Sequence, residues 1–240
     1  CNTMTAKWAD NQRRLDKERT VEDFDDEAAE SAEEADMLVS LIMENFGDVI
    51  QACFEVAGER FTPVFVRDML PAVLDRLAPA WGWRVVHKSL CILCDAVEFS
   101  VSFARQHGLA GLAVCETYLA SEQPEMRQVA YYYLGVAPVS MGADLFAPKA
   151  AAVLAALRAG IADTRARAQQ DFEDWAPAYD NAVAAFLKIV HAFVTTLPLG
   201  DTAELLTFLV HALPFTCDQE EARKCYTLFF AFLERFPAET

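Results

Sequence analysis

Cys91-Ile92-Leu93-Cys94 is the stretch of this chain with the most chemistry in reach. Two thiols at that spacing, with His87 one helical turn before Cys91, are the residue types that hold a metal ion or cycle between dithiol and disulfide. Both chemistries need a setting that the surrounding residues do not supply. A redox thiol is activated where a helix opens, because the N-terminal dipole favours the thiolate. This pair falls mid-helix, between Leu90 and Val97. A structural zinc takes four ligands, and no second pair with finger-like spacing occurs. The seven cysteines (Cys1, Cys53, Cys91, Cys94, Cys115, Cys217 and Cys225) are odd in number and fall mostly in apolar helical stretches. They read as reduced, buried thiols of an intracellular protein rather than as a disulfide framework.

The other reactive residue types form no constellation. His87, His107, His191 and His211 stand in no catalytic spacing, and His191 and His211 fall in apolar helices as packing residues. Gly108, Gly111, Gly135 and Gly142 are scattered and build no phosphate-cradling turn followed by Lys and Ser or Thr. Glu220, Glu221, Arg223 and Lys224 read as helix-surface charge. The expectation is a protein that is not an enzyme, with no cofactor and no metal.

Binding chemistry is better represented. Residues 21–36 carry Glu22, Asp23, Asp25, Asp26, Glu27, Glu30, Glu33, Glu34 and Asp36 without one intervening base. Like charges at that density resist compaction, so the segment is expected as an acidic loop or a loosely held helix. It would attract basic segments of a partner or serve as a solvated linker. Aromatic residues beside acids form a second candidate. Trp81 and Trp83 flank Gly82, and Phe172, Trp175 and Tyr179 stand among Asp171, Glu173, Asp174 and Asp180. Exposed, they would receive a basic, partly apolar peptide; otherwise they cap a core. The candidate partner-binding residues are therefore Asp23, Asp25, Asp26, Glu27, Glu30, Glu33, Glu34, Trp175 and Tyr179.

These residues must be positioned by helices. Apolar residues make up 54% of the chain, their spacing is mostly helical, and no sustained alternation suggests a strand. Helix pairs restart roughly every 40 residues, the period of HEAT or armadillo stacks. The predicted architecture is all-α, an α-solenoid of roughly four to five HEAT-type pairs. Residues 1–20 read as the trailing helix of a preceding repeat, which suggests a piece of a longer protein. The pairs are expected at 37–79, 83–120, 124–161, 179–214 and 218–240, the last incomplete. Pro71 should kink or split its helix, and Pro124 suits a helix start. Gly135 and Ala137 should let neighbouring helices come close. Residues 162–178 interrupt the period, as a helix extension or an inter-repeat loop.

Charge bounds the partners. With 20 basic and 36 acidic residues the formal net charge is −16. Such a field repels phosphate backbones and favours basic proteins. No uninterrupted apolar run reaches the ~18–20 residues of a membrane span, Val129–Val139 being the nearest, and no apolar leader is visible. Neither nucleic acid nor membrane is an expected partner.

Several segments resemble one family. PEMRQVAYYYLGV (124–136) resembles the first helix of a HEAT repeat in the importin-β (karyopherin-β) family, most of all its importin-5 (karyopherin β-3) branch. LCILCDAVEF (90–99), DNAVAAFLKIV (180–190), HALPFTCDQEEARKCYTLFFAFLERFP (211–237) and the acidic EDFDDEAAESAEEAD (22–36) are similar to that branch in the same order. The resemblance covers nearly the whole chain, and residues 162–178 depart from it most. It implies a nuclear import receptor that shuttles between cytoplasm and nucleus, binds basic cargo proteins and Phe-Gly nucleoporins, and releases cargo to Ran-GTP. It transfers no catalytic residue. The family's principal Ran surface lies in repeats outside this chain, so no Ran-contacting residue is assigned. Second helices, about 61–78, 103–120, 145–160 and 202–213, would line a concave face with Arg67, Asp68, Asp75, Glu116 and Glu204. Two further readings stand beside it. One is a HEAT scaffold subunit of an enzyme assembly, such as a phosphatase, with no Ran binding. The other is a thiol- or metal-dependent enzyme using His87, Cys91 and Cys94.

Overall fold

The computed structural model describes residues 26–217 and 219–236, with side chains from residue 41 onward apart from residue 220. Among these residues the chain is all-helical and no strand occurs. In order, α1 is Asp26–Ala57, followed by a 3-10 turn at Gly58–Arg60 and a short α2 at Thr62–Val64. A π-turn at Phe65–Met69 leads into α3 (Leu70–Asp75), and Pro79–Trp81 turns the chain into α4 (Trp83–Phe99). Then come α5 (Val101–Glu116), α6 (Pro124–Met141), α7 (Ala143–Ala168), α8 (Phe172–Phe193), α9 (Thr202–Ala212) and α10 (Gln219–Arg235).

Helix starts follow local chemistry. Ser100 Oγ accepts from the Phe103 amide at 3.1 Å, and Asp201 Oδ1 from Glu204 at 3.0 Å. Asp171 Oδ1 caps α8 through the Asp174 amide at 3.4 Å. Each carboxylate or hydroxyl takes an amide that the first turn leaves unpaired. Pro124 opens α6, where its missing N–H costs nothing. Pro71 acts as its ring dictates: it crowds the carbonyl of residue 67, and the preceding turn widens so that the Leu70 amide reaches Phe65 O.

Residues 26–36 and 162–168 take the helical one of the two forms expected for each, and α8 starts earlier than expected. The acidic segment is not a loop from Asp26 onward, because Asp26–Ala57 is one continuous helix; residues 21–25 lie outside the described ones. Residues 162–168 extend α7 by nearly two turns, so the chain between pairs shrinks to residues 169–171. α8 begins at Phe172 instead of residue 179. Pro177 lies inside α8, where it removes a single bond near the start of a helix already capped by Asp171, and burial of the rest of α8 outweighs that loss.

The chain divides into two compact units, one through Ile92 and one from Leu93, the boundary falling within α4. The first is centred on Phe54, which meets Phe61 edge-on at 4.9 Å and Phe65 at 5.0 Å. Met43, Ile50, Leu70, Val73, Val86 and Leu90 complete that core. Arg76 is buried there, donating to Ala72 O at 2.7 Å with its guanidinium over Trp81.

The second unit is organised around α8, which packs on α6, α7, α9 and α10. Small residues allow this. A Cβ on Gly135 of α6 would stand 2.9 Å from the Ala185 Cα of α8. Tyr133 and Tyr131, neighbours on α6, reach opposite ways: Tyr133 fills the space above Gly111 of α5, and Tyr131 that above Gly160 of α7. Their hydroxyls donate to Gly108 O and Leu119 O, each at 3.3 Å. Between α6 and α7 only Gly142 intervenes, at φ +89°, a left-handed conformation that costs glycine little. Arg105 locks this corner, donating to Met141 O at 2.6 Å and pairing with Asp144 at 2.7 Å.

α7 is long and apolar enough to cross a membrane by length and composition, although Lys149 and Arg158 interrupt its apolar run. In the fold it turns Phe146, Val153, Leu154, Leu157 and Ile161 into the core. Its outer side carries Ala147, Ala151, Ala152, Ala155 and Ala159.

Gly135→Ala tests the α6–α8 contact. At an unconstrained helix position the change would stabilise by about 1 kcal/mol. Here overpacking costs about 1–3 kcal/mol, so the melting temperature followed by circular dichroism should fall. A rise would mean that the two backbones do not approach at this point.

Candidate functional site

The acidic candidates divide by position. Asp23 and Asp25 lie outside the described residues. Asp26, Glu27, Glu30, Glu33 and Glu34 have helical backbone in the first turns of α1, and their side chains lie outside the description.

Trp175 and Tyr179 are buried, each 8% exposed, so neither forms an exposed aromatic contact. Two guanidiniums lie over the Trp175 ring, Arg127 at 5.0 Å and Arg167 at 4.5 Å from its centre. Arg127 is itself buried: it donates to Ser121 O at 2.6 Å and forms a close ion pair with Asp163. Arg167 bridges Asp163 at 3.1 Å and Glu122 at 2.8 Å. The ring takes cation–π contacts while the carboxylates take the N–H donors, so Trp175 caps the core between α6, α7 and α8. The Tyr179 hydroxyl donates to Ala212 O at 2.6 Å. Phe172 is the one aromatic of this group on the surface, beside Asp171, Glu173 and Asp174. There Asp171, burial and Glu125 push the Asp174 carboxyl up, the sign of crowded negative charge.

Asp180 is buried, not a surface acid. Its Oδ2 accepts from the Thr216 amide at 2.8 Å and the Cys217 amide at 2.7 Å. The Phe215 amide donates to the Tyr226 hydroxyl at 3.3 Å. A single carboxylate on α8 thus holds the segment joining α9 to α10, replacing the backbone partners that a loop lacks.

Cys91 Sγ is 4.0 Å from His87 Nδ1 and 3.9 Å from Nε2, a long contact between residues one helical turn apart. Cys94 is buried, with Sγ 3.9 Å from Val129 O. Among the described residues no group of three His, Cys, Asp or Glu side chains is placed to hold a metal ion. Cys115 is buried in α5, which pushes its thiol up and away from the reactive thiolate. Of the polar positions expected on second helices, Arg67 and Asp68 pair with each other at 2.6 Å and Glu116 pairs with Lys149 at 3.2 Å. Asp75 and Glu204 are exposed.

Sequence reasoning missed a polar ladder that crosses the second unit. Glu98 on α4 accepts from the Tyr132 hydroxyl on α6 at 2.6 Å. Lys188 on α8 places its ammonium 4.9 Å from the Tyr132 ring centre and 2.5 Å from Glu221 on α10. Cys225 donates to the same Glu221 oxygen at 3.7 Å. Burial, then the Glu98 charge, raises the Tyr132 phenol, which keeps it a donor. Glu221 and Lys188, read as surface charge and unremarked respectively, are a buried pair with side chains 7% and 14% exposed. The only signal in the sequence was a lysine inside the apolar run AAFLKIV. No family model matches the chain.

Two predictions follow from these pairs. Lys188→Met should destabilise by about 3–5 kcal/mol because it strands a buried carboxylate, while Lys188→Met with Glu221→Leu should recover most of the loss. Urea unfolding of the two variants checks this, and equal losses would refute the pairing. Burial raises the Asp163 carboxyl, but the Arg127 and Arg167 partners outweigh it and leave it below its ordinary value; Arg167 lowers Glu122 likewise. With folded values below unfolded ones, their contribution is complete above the ordinary carboxylate range and is lost as pH falls through the folded values. Asp163→Asn should therefore be less stable at neutral pH and show a shallower loss below about pH 4, measured by urea midpoints.

Proposed function

We propose that this chain is part of a nuclear import receptor of the importin-β type, a stack of HEAT pairs that binds basic proteins. The observation that carries the reading is the order of packing. Leading helices α6, α8 and α10 pack on one another in chain order, and trailing helices α5 and α7 each pack on the leading helix that follows. Such nearest-neighbour contacts support an α-solenoid, in which each pair buries its apolar face against the next. A stack of this kind works as an extended surface and needs no catalytic group.

The charge supports the class of cargo. The net charge of −16 favours basic proteins over nucleic acid. Nine of the acidic residues lie on α1, which holds no Lys, Arg or His. The link to Ran and to Phe-Gly nucleoporins rests on the resemblance of the segments quoted above to the importin-5 branch. In this reading the protein shuttles between cytoplasm and nucleus, and small rotations between successive pairs couple cargo binding to Ran binding.

The decisive experiment is a pull-down of the longer receptor to which the chain is proposed to belong, with Ran loaded with GTP and separately with GDP. GTP-selective capture is expected. Capture of neither form overturns the receptor reading in favour of a scaffold subunit of an enzyme assembly.

A further inference from the structure

α1 is apolar on two sides. The inner side, with Met43, Ile50 and Phe54, is buried in the first unit. The outer side presents Leu41 at 54% exposure, Val49 at 60% and Val56 at 82%, with Ala52 also exposed. At ~100° per residue these four positions, with the exposed Asn45 among them, fall within about a quarter of the helix circumference, along ~22 Å of its axis. Glu44, Asp48 and Glu55 run along one edge of this stripe, all exposed. Lys88 reaches Glu44 at 3.3 Å, and Gln51 donates to Glu55 at 2.9 Å. Single exposed apolar residues are ordinary, but an aligned row of them with a charged border marks a contact surface.

We infer that the outer face of α1 docks a basic amphipathic helix of a partner protein. Apolar residues of that helix, spaced at i, i+3, i+4 and i+7, seat on Leu41, Val49 and Val56. Its Lys or Arg residues lie opposite Glu44, Asp48 and Glu55. The sign of the charge selects this occupant: a helix with nine acidic residues and no base repels a second copy of itself and any acidic helix. The inference rests on the protein-binding part of the proposed function and is independent of Ran, so its test contains no GTPase and its failure is separable from failure of the pull-down.

The test uses the full chain and a labelled peptide of about 18 residues built from Leu, Lys and Ala with one apolar face, in fluorescence anisotropy. Controls are a peptide of the same composition in scrambled order and one with Glu in place of Lys. The amphipathic basic peptide should bind, with affinity falling as salt rises, and both controls should bind at least about tenfold more weakly. Leu41→Ser, Val49→Ser and Val56→Ser together should weaken binding by about tenfold or more. Asp48→Asn with Glu55→Gln should flatten the salt dependence, and Val210→Ser on α9 should change neither. All the positions are exposed, and an unchanged circular dichroism spectrum confirms that the variants are folded. No binding by the parent chain, equal binding by the triple-serine variant, or equal binding of the scrambled peptide overturns the inference. So does self-association in sedimentation that the triple variant abolishes, which would assign the face to a second copy.

Discussion

A helix enclosed on every side can carry only what its neighbours accommodate, and α8 imposes that rule on the second unit. Most of its residues from Trp175 to Phe193 are buried, so each is small, apolar or paired. Ala185 is small because Gly135 brings the backbone of α6 against it. Lys188 is tolerated because Tyr132 supplies a ring face and Glu221 a carboxylate. Asp180 is tolerated because two loop amides and a threonine hydroxyl point at it. These are conditions on neighbouring helices as much as on α8, and they fix which turn of α6 and α10 lies beside which turn of α8.

α6 has the complementary part. Its consecutive tyrosines reach outward in different directions, two of them into spaces above glycines and the third to a carboxylate on α4. A phenol buried without a partner would be costly, and each of these three has an acceptor. The pairing of bulky rings with missing side chains makes the sliding of one helix past another expensive, since a one-residue shift places a ring on a Cβ. Exposed pairs such as Arg105–Asp144 and Lys149–Glu116 lie at the periphery and add little by comparison.

Much of the helical layout was legible because its causes are local. The 3.6-residue spacing located α4 to α6 closely, and Pro124 marked a start. Where neighbours decide, reading the chain fell short. The acids of residues 26–36 suggest repulsion, yet they continue into a strongly apolar helix that carries them along. Residues 172–178 fall in the stretch that interrupts the period, yet tertiary burial extends α8 back through Pro177. Trp175 and Tyr179 beside acids look like a surface patch, but the arginines over the Trp175 ring come from residues 127 and 167, and the acceptor for Tyr179 from residue 212. Spacing cannot announce a partner so far along the chain. The outer stripe of α1 was hidden for a related reason, since Leu41 and Val49 count as core until burial distinguishes them.

The tether at Asp180 ties the connection between α9 and α10 to one turn of α8. Its carboxylate clamps residues 216 and 217 directly to α8, and Tyr179 clamps the end of α9 at Ala212. At the opposite end of α9 the link from α8 passes through Gly200, at φ +124° with open space where a side chain would be. α9 is thus tied to α8 at its C-terminal end by Tyr179, with Leu205 and Leu209 buried along its length. Tyr179 and Asp180, adjacent on α8, thus hold residues 212, 216 and 217 to a single turn of that helix, so where α9 ends and where α10 begins are set together.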